Sequence, residues 1–272
     1  MRAEVPTPVL SARNLVKRFG GMLAVRDVNL DVMKGSVHAI IGPNGAGKTT
    51  VFNCITSFIP PTSGTVHIDG ERIDGLPAHK VAAHGVARTY QNVRLFSGMT
   101  AVENVLVGEH RRLRVPFWEA ILTTPRFRHE EAEARDRAHE MLKFVGIPDR
   151  AEDLARSMPY GDQRRLEIAR ALATRPRILM LDEPAAGMNP SEGKALVDLI
   201  ERIRSEMGVT VLLIEHHMKV VMAIADRITV FDRGAVLAEG DPAEIRADER
   251  VIAAYLGARA AATTDSREVA SA

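Results

Sequence analysis

The sequence predicts an α/β protein with a parallel-sheet core, a β-rich first third and a mostly helical middle. Between residues 176 and 231, short apolar runs alternate with amphipathic helical segments, which is typical of a parallel sheet covered by helices. Before residue 71, β-branched and aliphatic runs bounded by glycines indicate strands. From about residue 97 to residue 175, alanine, glutamate and arginine recur at helical spacing.

In the first third, strands are predicted over residues 9–15, 24–32, 37–41 and 64–70. The run 37–41 is short, mostly apolar and followed by a glycine, which favours a buried strand. A helix is predicted over residues 49–57. The β-rich segments therefore surround one strand-loop-helix unit.

Helices are predicted in the middle over residues 100–108, 116–122, 129–145 and 162–174. Strands over 178–181, 209–214 and 228–231 then alternate with helices over 190–207 and 218–225. These elements form one domain at residues 9–257, with a helical subdomain inserted at about 97–175. The Ala-, Thr- and Ser-rich residues 258–272 are predicted to be disordered.

The composition is that of an ordinary globular protein. Of 272 residues, 46% are hydrophobic and 26% charged, so a sizeable core is expected. Aromatic residues make up only 4%, so aliphatic side chains must provide most of the packing. The net charge of +1 argues against a dedicated nucleic-acid surface, and no nucleic-acid partner is expected.

The chain has one cysteine, Cys54, which excludes an internal disulfide and suits a reducing compartment or is indifferent to it. Cys54 is expected to be a small buried residue rather than a nucleophile. The first eight residues contain no apolar stretch, so no signal peptide is predicted. No run of about eighteen apolar residues occurs, which predicts a chain that does not span a membrane but can dock onto a protein that does.

A glycine-rich segment follows the strand at 37–41: Gly42-Pro43-Asn44-Gly45-Ala46-Gly47-Lys48-Thr49. It matches the pattern G-x-x-x-x-G-K-[ST], in which backbone N–H groups and a helix N-terminus surround phosphate oxygens. Lys48 supplies a positive charge for the β- and γ-phosphates, and Thr49 a hydroxyl for Mg²⁺. Thr50, the next residue, is included in the nucleotide-binding set. The segment predicts ATP binding, since a chance match with strand and helix correctly placed is rare.

Two acids, Asp182 and Glu183, follow the apolar run at residues 178–181. A carboxylate at the end of a buried parallel strand lies at the sheet edge where ligands bind. Asp182 can hold Mg²⁺ through water, and Glu183 can polarise the attacking water. Alone the pair is a weak signal, but together with the glycine-rich loop it predicts ATP hydrolysis.

These segments together resemble the ATP-binding cassette family, the ATPase subunits of ABC transporters, over about residues 9–257. The resemblance implies a P-loop NTPase cassette with a RecA-like parallel-sheet core, an N-terminal antiparallel β subdomain and a helical subdomain. It implies that Gln91 is a catalytic and magnesium-site glutamine that communicates with a membrane partner. It also implies that His216 is the switch histidine at the γ-phosphate and that Phe19 stacks on adenine. Residues 187–190 fall where the family has its D-loop.

Each of these residues has a simpler interpretation. Gln91 could be a polar loop residue, His216 a histidine at a strand end, and Phe19 a core aromatic. His216 and His217 are adjacent, and spacing alone does not separate them. His216 is preferred because relatives that resemble this chain have Glu-His-Asp-Met, with the switch histidine directly after the glutamate.

The chain departs from the family at its signature, which is usually Leu-Ser-Gly-Gly-Gln and here is Met158-Pro159-Tyr160-Gly161-Asp162. In the family this segment reaches the γ-phosphate of ATP held by the opposite subunit. Pro159 has neither a hydroxyl nor an N–H, whereas Tyr160 and Gly161 retain backbone donors. The hypothesis is a heterodimer with a second, different ATPase subunit and two unequal sites, in which Glu183→Gln in this chain abolishes most turnover.

Several segments resemble the branched-chain amino-acid importer ATPases in particular: residues 160–170, 181–190, 124–127 and 251–257. The resemblance implies two membrane permease subunits, a second ABC ATPase subunit and an extracytoplasmic substrate-binding protein as partners. It implies peripheral attachment at the cytoplasmic face of the cell (inner) membrane. Leucine, isoleucine and valine would be the transported substrates, and nothing in the chain itself selects them.

Other functions stay open at this point: an ATPase for urea or short amides, one for lipopolysaccharide export, a soluble ABC protein of translation or DNA repair, or a nucleotide switch. Soluble members usually join two cassettes or insert a long coiled coil, and neither is found here. Glu183 argues against a pure switch. Four apolar residues are candidates either for a groove that receives a permease helix or for the core: Val93, Leu95, Phe96 and Met99.

Overall fold

An antiparallel sheet of four strands forms the N-terminal part of the fold. The computed structural model describes residues 7–109 and 124–255. The strands are β1 (Pro8–Phe19), β2 (Met22–Met33), β4 (Ser63–Ile68) and β5 (Glu71–Arg72). Their order across the sheet is β2-β1-β4-β5, and every neighbouring pair is antiparallel. This confirms the predicted antiparallel β subdomain.

A second sheet of six strands forms the core. It contains β3 (Val37–Ile41), β6 (Val86–Arg88), β7 (Ile178–Asp182), β8 (Thr210–Ile214), β9 (Arg227–Asp232) and β10 (Ala235–Gly240), in the order β10-β9-β3-β8-β7-β6. All pairs are parallel except β9 with β10, which form an antiparallel hairpin at one edge. The carboxyl ends of β3 and β7 therefore meet at the same edge of the sheet.

Helices cover this sheet and build the middle of the chain. They are α1 (Lys48–Ile55), α2 (Ala78–Ala83), α3 (Ala101–Glu109), α4 (Pro125–Phe144), α5 (Tyr160–Ala173), α6 (Pro190–Met207), α7 (Met218–Ile224) and α8 (Pro242–Ala247). Two 3₁₀ turns, Pro148–Arg150 and Ala155–Ser157, lie between α4 and α5. Residues 249–255 are also helical. Among the described residues, no helix is both long and apolar enough to cross a membrane.

The central strands β3, β7 and β8 are mostly apolar because both faces of the sheet are buried there. Alternate residues of β7 belong to two hydrophobic cores: Leu179 and Leu181 face the helical side, whereas Ile178 and Met180 face α1 and the antiparallel sheet. Residues of β3 and β8 divide between the same two cores. Strand side chains alternate between faces, so a strand buried on both sides needs a continuous apolar run.

The elements missed from the sequence are short or lie at edges. They are β5, β6, β10, α2, α8 and the helical residues 249–255, none longer than seven residues. Two predicted helices begin earlier than expected. Thr124 caps α4 by accepting from the Phe127 N–H at 3.2 Å, with Pro125 in the first turn, and α5 begins directly after Pro159. The predicted helix at 116–122 and the predicted disordered tail at 258–272 lie outside the described residues.

Candidate nucleotide site

The glycine-rich loop connects β3 to α1 and lies close against neighbouring backbone. Gly42 has φ +144°, and a Cβ at this position would lie 2.1 Å from the carbonyl oxygen of Phe231 on β9. Gly47 has φ +96°, and its Cβ would lie 2.5 Å from the carbonyl oxygen of Ala24 on β2. These two positions require glycine both for the backbone conformation and for the close approach.

Lys48 is the first residue of α1, and its ammonium bends back over the loop. Nζ donates hydrogen bonds to the carbonyl oxygens of Gly42 at 2.7 Å and Pro43 at 2.9 Å. Burial lowers the pKa of Lys48, and the carboxylates of Glu183 and Asp182 oppose that shift. Both acids are therefore close enough to interact with the ammonium, which places the two predicted motifs in one site.

A cavity of about 680 Å³ opens beside the loop, a size that suits a nucleotide. It lies between β2, the loop and the turn at Arg233 and Gly234. The predicted site residues that line it are Phe19, Asn44, Gly45, Ala46, Gly47, Lys48, Thr49, Thr50, Gln91 and Glu183. Gly42 and Pro43 contribute the carbonyl groups under the Lys48 ammonium.

Phe19 is an exposed aromatic at the rim of this cavity. Its side chain is 40% exposed, and the Lys17 ammonium lies 4.9 Å from the ring centroid. The interpretation of Phe19 as a core aromatic is therefore wrong. An exposed ring in a cavity wall leaves a face available for a planar base, which is compatible with the predicted stacking.

Asp182 ends β7 and is buried against an arginine that the sequence did not reveal. Its Oδ2 accepts a hydrogen bond from Arg88 Nη2 at 2.8 Å. Arg88 also donates to Asn53 Oδ1 on α1 at 2.7 Å and to Thr56 Oγ1, directly after α1, at 3.2 Å. Asp182 Oδ1 accepts no hydrogen bond from any residue in the described ranges, so one carboxylate oxygen remains available to a cation. Oxygen of this kind is what Mg²⁺ prefers.

The three residues predicted to be catalytic lie together. Gln91 Nε2 donates to Glu183 Oε2 at 2.8 Å, and His216 Nδ1 lies 3.7 Å from the same oxygen. Glu183 has φ +49°, an uncommon conformation for a residue other than glycine, and such conformations concentrate at functional sites. Three separate segments of the chain therefore converge on one carboxylate.

Glu215 is a buried acid beside the candidate site that the sequence analysis did not select. It is fully buried, and its Oε1 accepts from the Ala185 N–H at 2.7 Å. Its Oε2 accepts from the N–H groups of His216 at 2.9 Å and His217 at 3.1 Å. Glu215 thus ties the loop after β7 to the loop after β8. A buried acid directly after an apolar strand was the only sequence signal for it.

The structure distinguishes His216 from His217 by proximity to Glu183. Their rings are 4.4 Å apart, and both residues are exposed. His216 Nδ1 lies 3.7 Å from Glu183 Oε2, which agrees with the choice made from the sequence. Both carboxylate oxygens of Glu215 accept hydrogen bonds from backbone N–H groups, so Glu215 stabilises the loop that carries the two histidines.

The segment equivalent to the signature lies away from this cavity. Pro159 precedes α5 with no side-chain hydrogen bond to cap it, and Tyr160 is the first helical residue, 45% exposed. Neither Tyr160 nor Gly161 is among the described residues that line the cavity. These two predicted nucleotide-binding residues are therefore not brought to the loop of the same chain.

The phosphate loop, the acidic pair and the two-sheet architecture define a nucleotide-binding ATPase cassette. The family model for the ABC transporter matches residues 25–186, which is more than half of the chain. A model described as branched-chain amino acid ATP-binding cassette transporter matches residues 235–261. The chain belongs to the ABC transporter family of ATP-binding cassettes, and it is an ATPase of that class. The fold class predicted from the sequence is confirmed.

Two curated relatives are similar over nearly their whole length. The high-affinity branched-chain amino acid transport ATP-binding protein BraF of Pseudomonas aeruginosa is 56% identical over 92% of this chain and 98% of its own. The protein of the same description named LivG, from Escherichia coli, is 51% identical with the same coverage. The predicted sub-family resemblance is therefore confirmed.

Solved cassettes have the same fold. The ADP conformation of MJ1267, an ATP-binding cassette of an ABC transporter, has a TM-score of 0.80 at 29% identity and covers 92% of this chain and 99% of its own. A dimeric post-hydrolysis state of the cassette MJ0796 bound to ADP and Pi has a TM-score of 0.74 at 27% identity, with coverages of 86% and 98%.

Proposed function

We propose that this chain is the ATP-hydrolysing subunit of an importer for branched-chain amino acids, attached peripherally to the cytoplasmic face of the membrane. The observation that carries the ATPase role is the convergence of Gln91 and His216 on Glu183 beside the phosphate loop. The relatives named for branched-chain amino acid transport support the substrate, namely leucine, isoleucine and valine. The cassette itself comprises residues 9–257, with the helical subdomain at about 97–175 inserted.

In this proposal the nucleotide occupies the cavity beside the loop. Phe19 stacks on the adenine, backbone N–H groups of residues 44–50 bind the phosphates, and Lys48 moves from its carbonyl partners to the β- and γ-phosphates. The two hydrogen bonds of Lys48 to Gly42 and Pro43 keep the ammonium at the loop until a phosphate replaces them.

Mg²⁺ fits the oxygens that meet here. Thr49 offers a hydroxyl, Asp182 its free Oδ1, and Gln91 an amide oxygen, since its amide N–H donates to Glu183. When bound, the ion supplies positive charge to the phosphate oxygens. Arg88 orients the Asp182 carboxylate for that task through the 2.8 Å hydrogen bond.

Glu183 acts as the general base for the attacking water. Gln91 holds Oε2, while Oε1 accepts no hydrogen bond from the residues described and is free to take the proton. His216, on the same side of the carboxylate, donates to the γ-phosphate oxygen. Glu183 has a left-handed backbone conformation and lines the cavity.

The test is Glu183→Gln in the assembled complex. The variant is expected to bind ATP as tightly as the natural chain and to hydrolyse it at least about 100-fold more slowly, since general-base catalysis contributes that much. Glu206→Gln, on the exposed face of α6, is the matched control and should retain full turnover. Retention of turnover by Glu183→Gln would contradict the proposed role.

The second part of the proposal concerns partners. The dimeric cassette MJ0796 supports pairing of two ATPase subunits. We propose a heterodimer, because Pro159 removes one donor from the segment that would complete the partner's site. Two permease subunits and an extracytoplasmic binding protein complete the complex. The test measures the mass of the complexes that the Glu183→Gln chain forms with ATP, first by itself and then mixed with the ATPase encoded next to it in the genome. If the chain forms a stable homodimer and no heterodimer, the heterodimer proposal is refuted.

A groove of about 550 Å³ next to the residues after Gln91 is the proposed seat of a permease helix. Phe96 lines it and is 47% exposed, with the Arg170 guanidinium 5.6 Å from its ring, and Met99 nearby is 38% exposed. Leu95 is half-buried and packs against the core, and Val93 is half-buried. Phe96→Asp should release the permease and leave ATP binding intact, whereas loss of folding would favour the core interpretation.

The substrate is tested by reconstitution. The complex with its binding protein in proteoliposomes is titrated with leucine, isoleucine, valine, urea and acetamide. Stimulation of ATPase activity by the three branched-chain amino acids alone supports the proposal. Stimulation by urea or acetamide instead assigns a different importer with the same cassette.

A further inference from the structure

A buried arginine on α5, Arg164, connects the signature segment to the catalytic residues. Its side chain is completely buried and forms an ion pair with Glu167 at 3.1 Å, which is itself 1% exposed. Burying a charge is costly unless it is paired and hydrogen-bonded, so the partners of this guanidinium indicate what it holds together.

The Arg164 guanidinium binds the backbone of the segment that carries Gln91. Nη1 donates to the carbonyl oxygen of Tyr90 at 2.6 Å, and Nη2 donates to that of Gln91 at 2.6 Å. Glu167 binds the same segment further along, since its Oε1 accepts a hydrogen bond from the Arg94 N–H at 3.1 Å. The backbone of residues 90–94 is therefore fixed by one buried ion pair on α5.

The same guanidinium also reaches the start of α5. Nη2 donates to Tyr160 Oη at 2.9 Å, and the Tyr160 ring remains 45% exposed. Gln91, at the other side of Arg164, donates its side chain to Glu183. Three hydrogen bonds thus connect the exposed Tyr160 to Arg164, Arg164 to the Gln91 backbone, and the Gln91 side chain to Glu183.

We propose that Arg164 is a positioning residue for hydrolysis that couples Tyr160 to the contact between Gln91 and Glu183. A second cassette that engages Tyr160 then changes the position of the Glu183 carboxylate in this chain. The inference rests on the proposed function, because Tyr160 has a second nucleotide to sense only in a dimer of cassettes. A planar fork with five donors suits this task, and lysine cannot reproduce it.

The test is a double-mutant cycle on ATPase activity in the assembled complex, with Tyr160→Phe and Gln91→Ala. Tyr160→Phe removes one hydroxyl from a half-exposed side chain and should lower kcat by roughly threefold to tenfold, with KM for ATP within about twofold. In the Gln91→Ala background the same change should have an effect below about 1.5-fold. Effects that multiply, or no effect of Tyr160→Phe on kcat, overturn the proposal.

Arg164→Lys gives a second test. It keeps the charge next to Glu167 but cannot reach both carbonyl groups and the hydroxyl, so kcat should fall by about tenfold or more with an unchanged KM. The control is Arg202→Lys, because Arg202 also donates to a glutamate (2.8 Å) and a backbone carbonyl (3.0 Å) but lies on the exposed face of α6. Equal kcat for Arg164→Lys and Arg202→Lys overturns the proposal. If Arg164→Lys does not fold, the double-mutant cycle of Tyr160→Phe and Gln91→Ala tests the proposal by itself.

The outcome is separable from that of the proposed function. Turnover in the natural complex that Glu183→Gln abolishes supports the ATPase assignment, whatever the cycle gives. If the natural complex hydrolyses ATP but the two substitutions of the cycle act independently, only the proposed role of Arg164 is refuted.

Discussion

Glu215→Gln is expected to destabilise the cassette more than the same substitution at any surface glutamate would. The carboxylate of Glu215 accepts three backbone hydrogen bonds, one on Oε1 at 2.7 Å and two on Oε2 at 2.9 and 3.1 Å. Glutamine has a single acceptor oxygen. If that oxygen keeps the two N–H groups of His216 and His217, the amide NH₂ faces the N–H of Ala185, and two donors oppose each other in a buried site.

The magnitude follows from these contacts. Losing a hydrogen bond to a charged acceptor costs about 1.5–3 kcal/mol, and the remaining two bonds weaken because their acceptor is neutral. The total is about 3 kcal/mol, which corresponds to a fall in Tm of about 6–12 °C for a domain of this size. ATPase turnover should fall as well, because Glu215 holds the backbone of His216.

Urea unfolding followed by circular dichroism measures the difference. The control is Glu244→Gln in α8, where Glu244 accepts one exposed N–H, that of Asp241, at 2.9 Å in a capping box. Glutamine serves equally well at this position, so the control should change the free energy of unfolding by less than about 0.5 kcal/mol. If Glu215→Gln and Glu244→Gln unfold at the same urea concentration with equal slopes, the buried-acceptor argument is wrong.

Three further predictions concern buried groups. Burial lowers the pKa of His38 from 6.5 to about 4, so the unfolded chain binds a proton at a higher pH than the folded chain does. About 3 kcal/mol of the free energy of unfolding should therefore be lost as the pH falls from 6.5 to 4. Urea titrations over this pH range should find a smaller loss in His38→Asn. Gly42→Ala places a Cβ 2.1 Å from the Phe231 carbonyl and should lower the free energy of unfolding by about 3 kcal/mol or more, against about 1 kcal/mol for Gly35→Ala, where nothing lies within 4 Å; equal losses in the urea assay would contradict the steric argument. Burial raises the pKa of the Cys54 thiol to about 11, so a disulfide reagent at pH 8 should label it at least about 100-fold more slowly in the folded chain than in urea, and fast labelling of the folded chain would show that Cys54 is accessible.

The phosphate loop and the acidic pair were predictable because their chemistry is contiguous in the chain. Lys48 stands six residues after Gly42, to whose carbonyl it bonds, and Asp182 and Glu183 end a strand whose apolar run is visible in the sequence. The same holds for the long elements: α6 was predicted with the bounds it has, since Asn189 caps it, Pro190 opens it and Gly208 ends it.

Short edge elements were not predictable in the same way. The strand β6 has only three residues, and its β conformation depends on pairing with β7 rather than on its own pattern. Yet β6 carries Arg88, so its absence from the predicted elements concealed the arginine that binds Asp182 in the proposed magnesium site.

The sequence by itself determined the candidate site residues, the family and the parallel-sheet core, since these are encoded in local motifs and periodicity. Only the tertiary structure decided which of them meet. Gln91 lies 92 residues from Glu183, Arg88 lies 94 residues from Asp182, and Arg164 lies 73 residues from the Gln91 carbonyl it holds. The physical reason is the strand order β10-β9-β3-β8-β7-β6: parallel pairing brings the carboxyl ends of strands that are distant in sequence to one edge of the sheet.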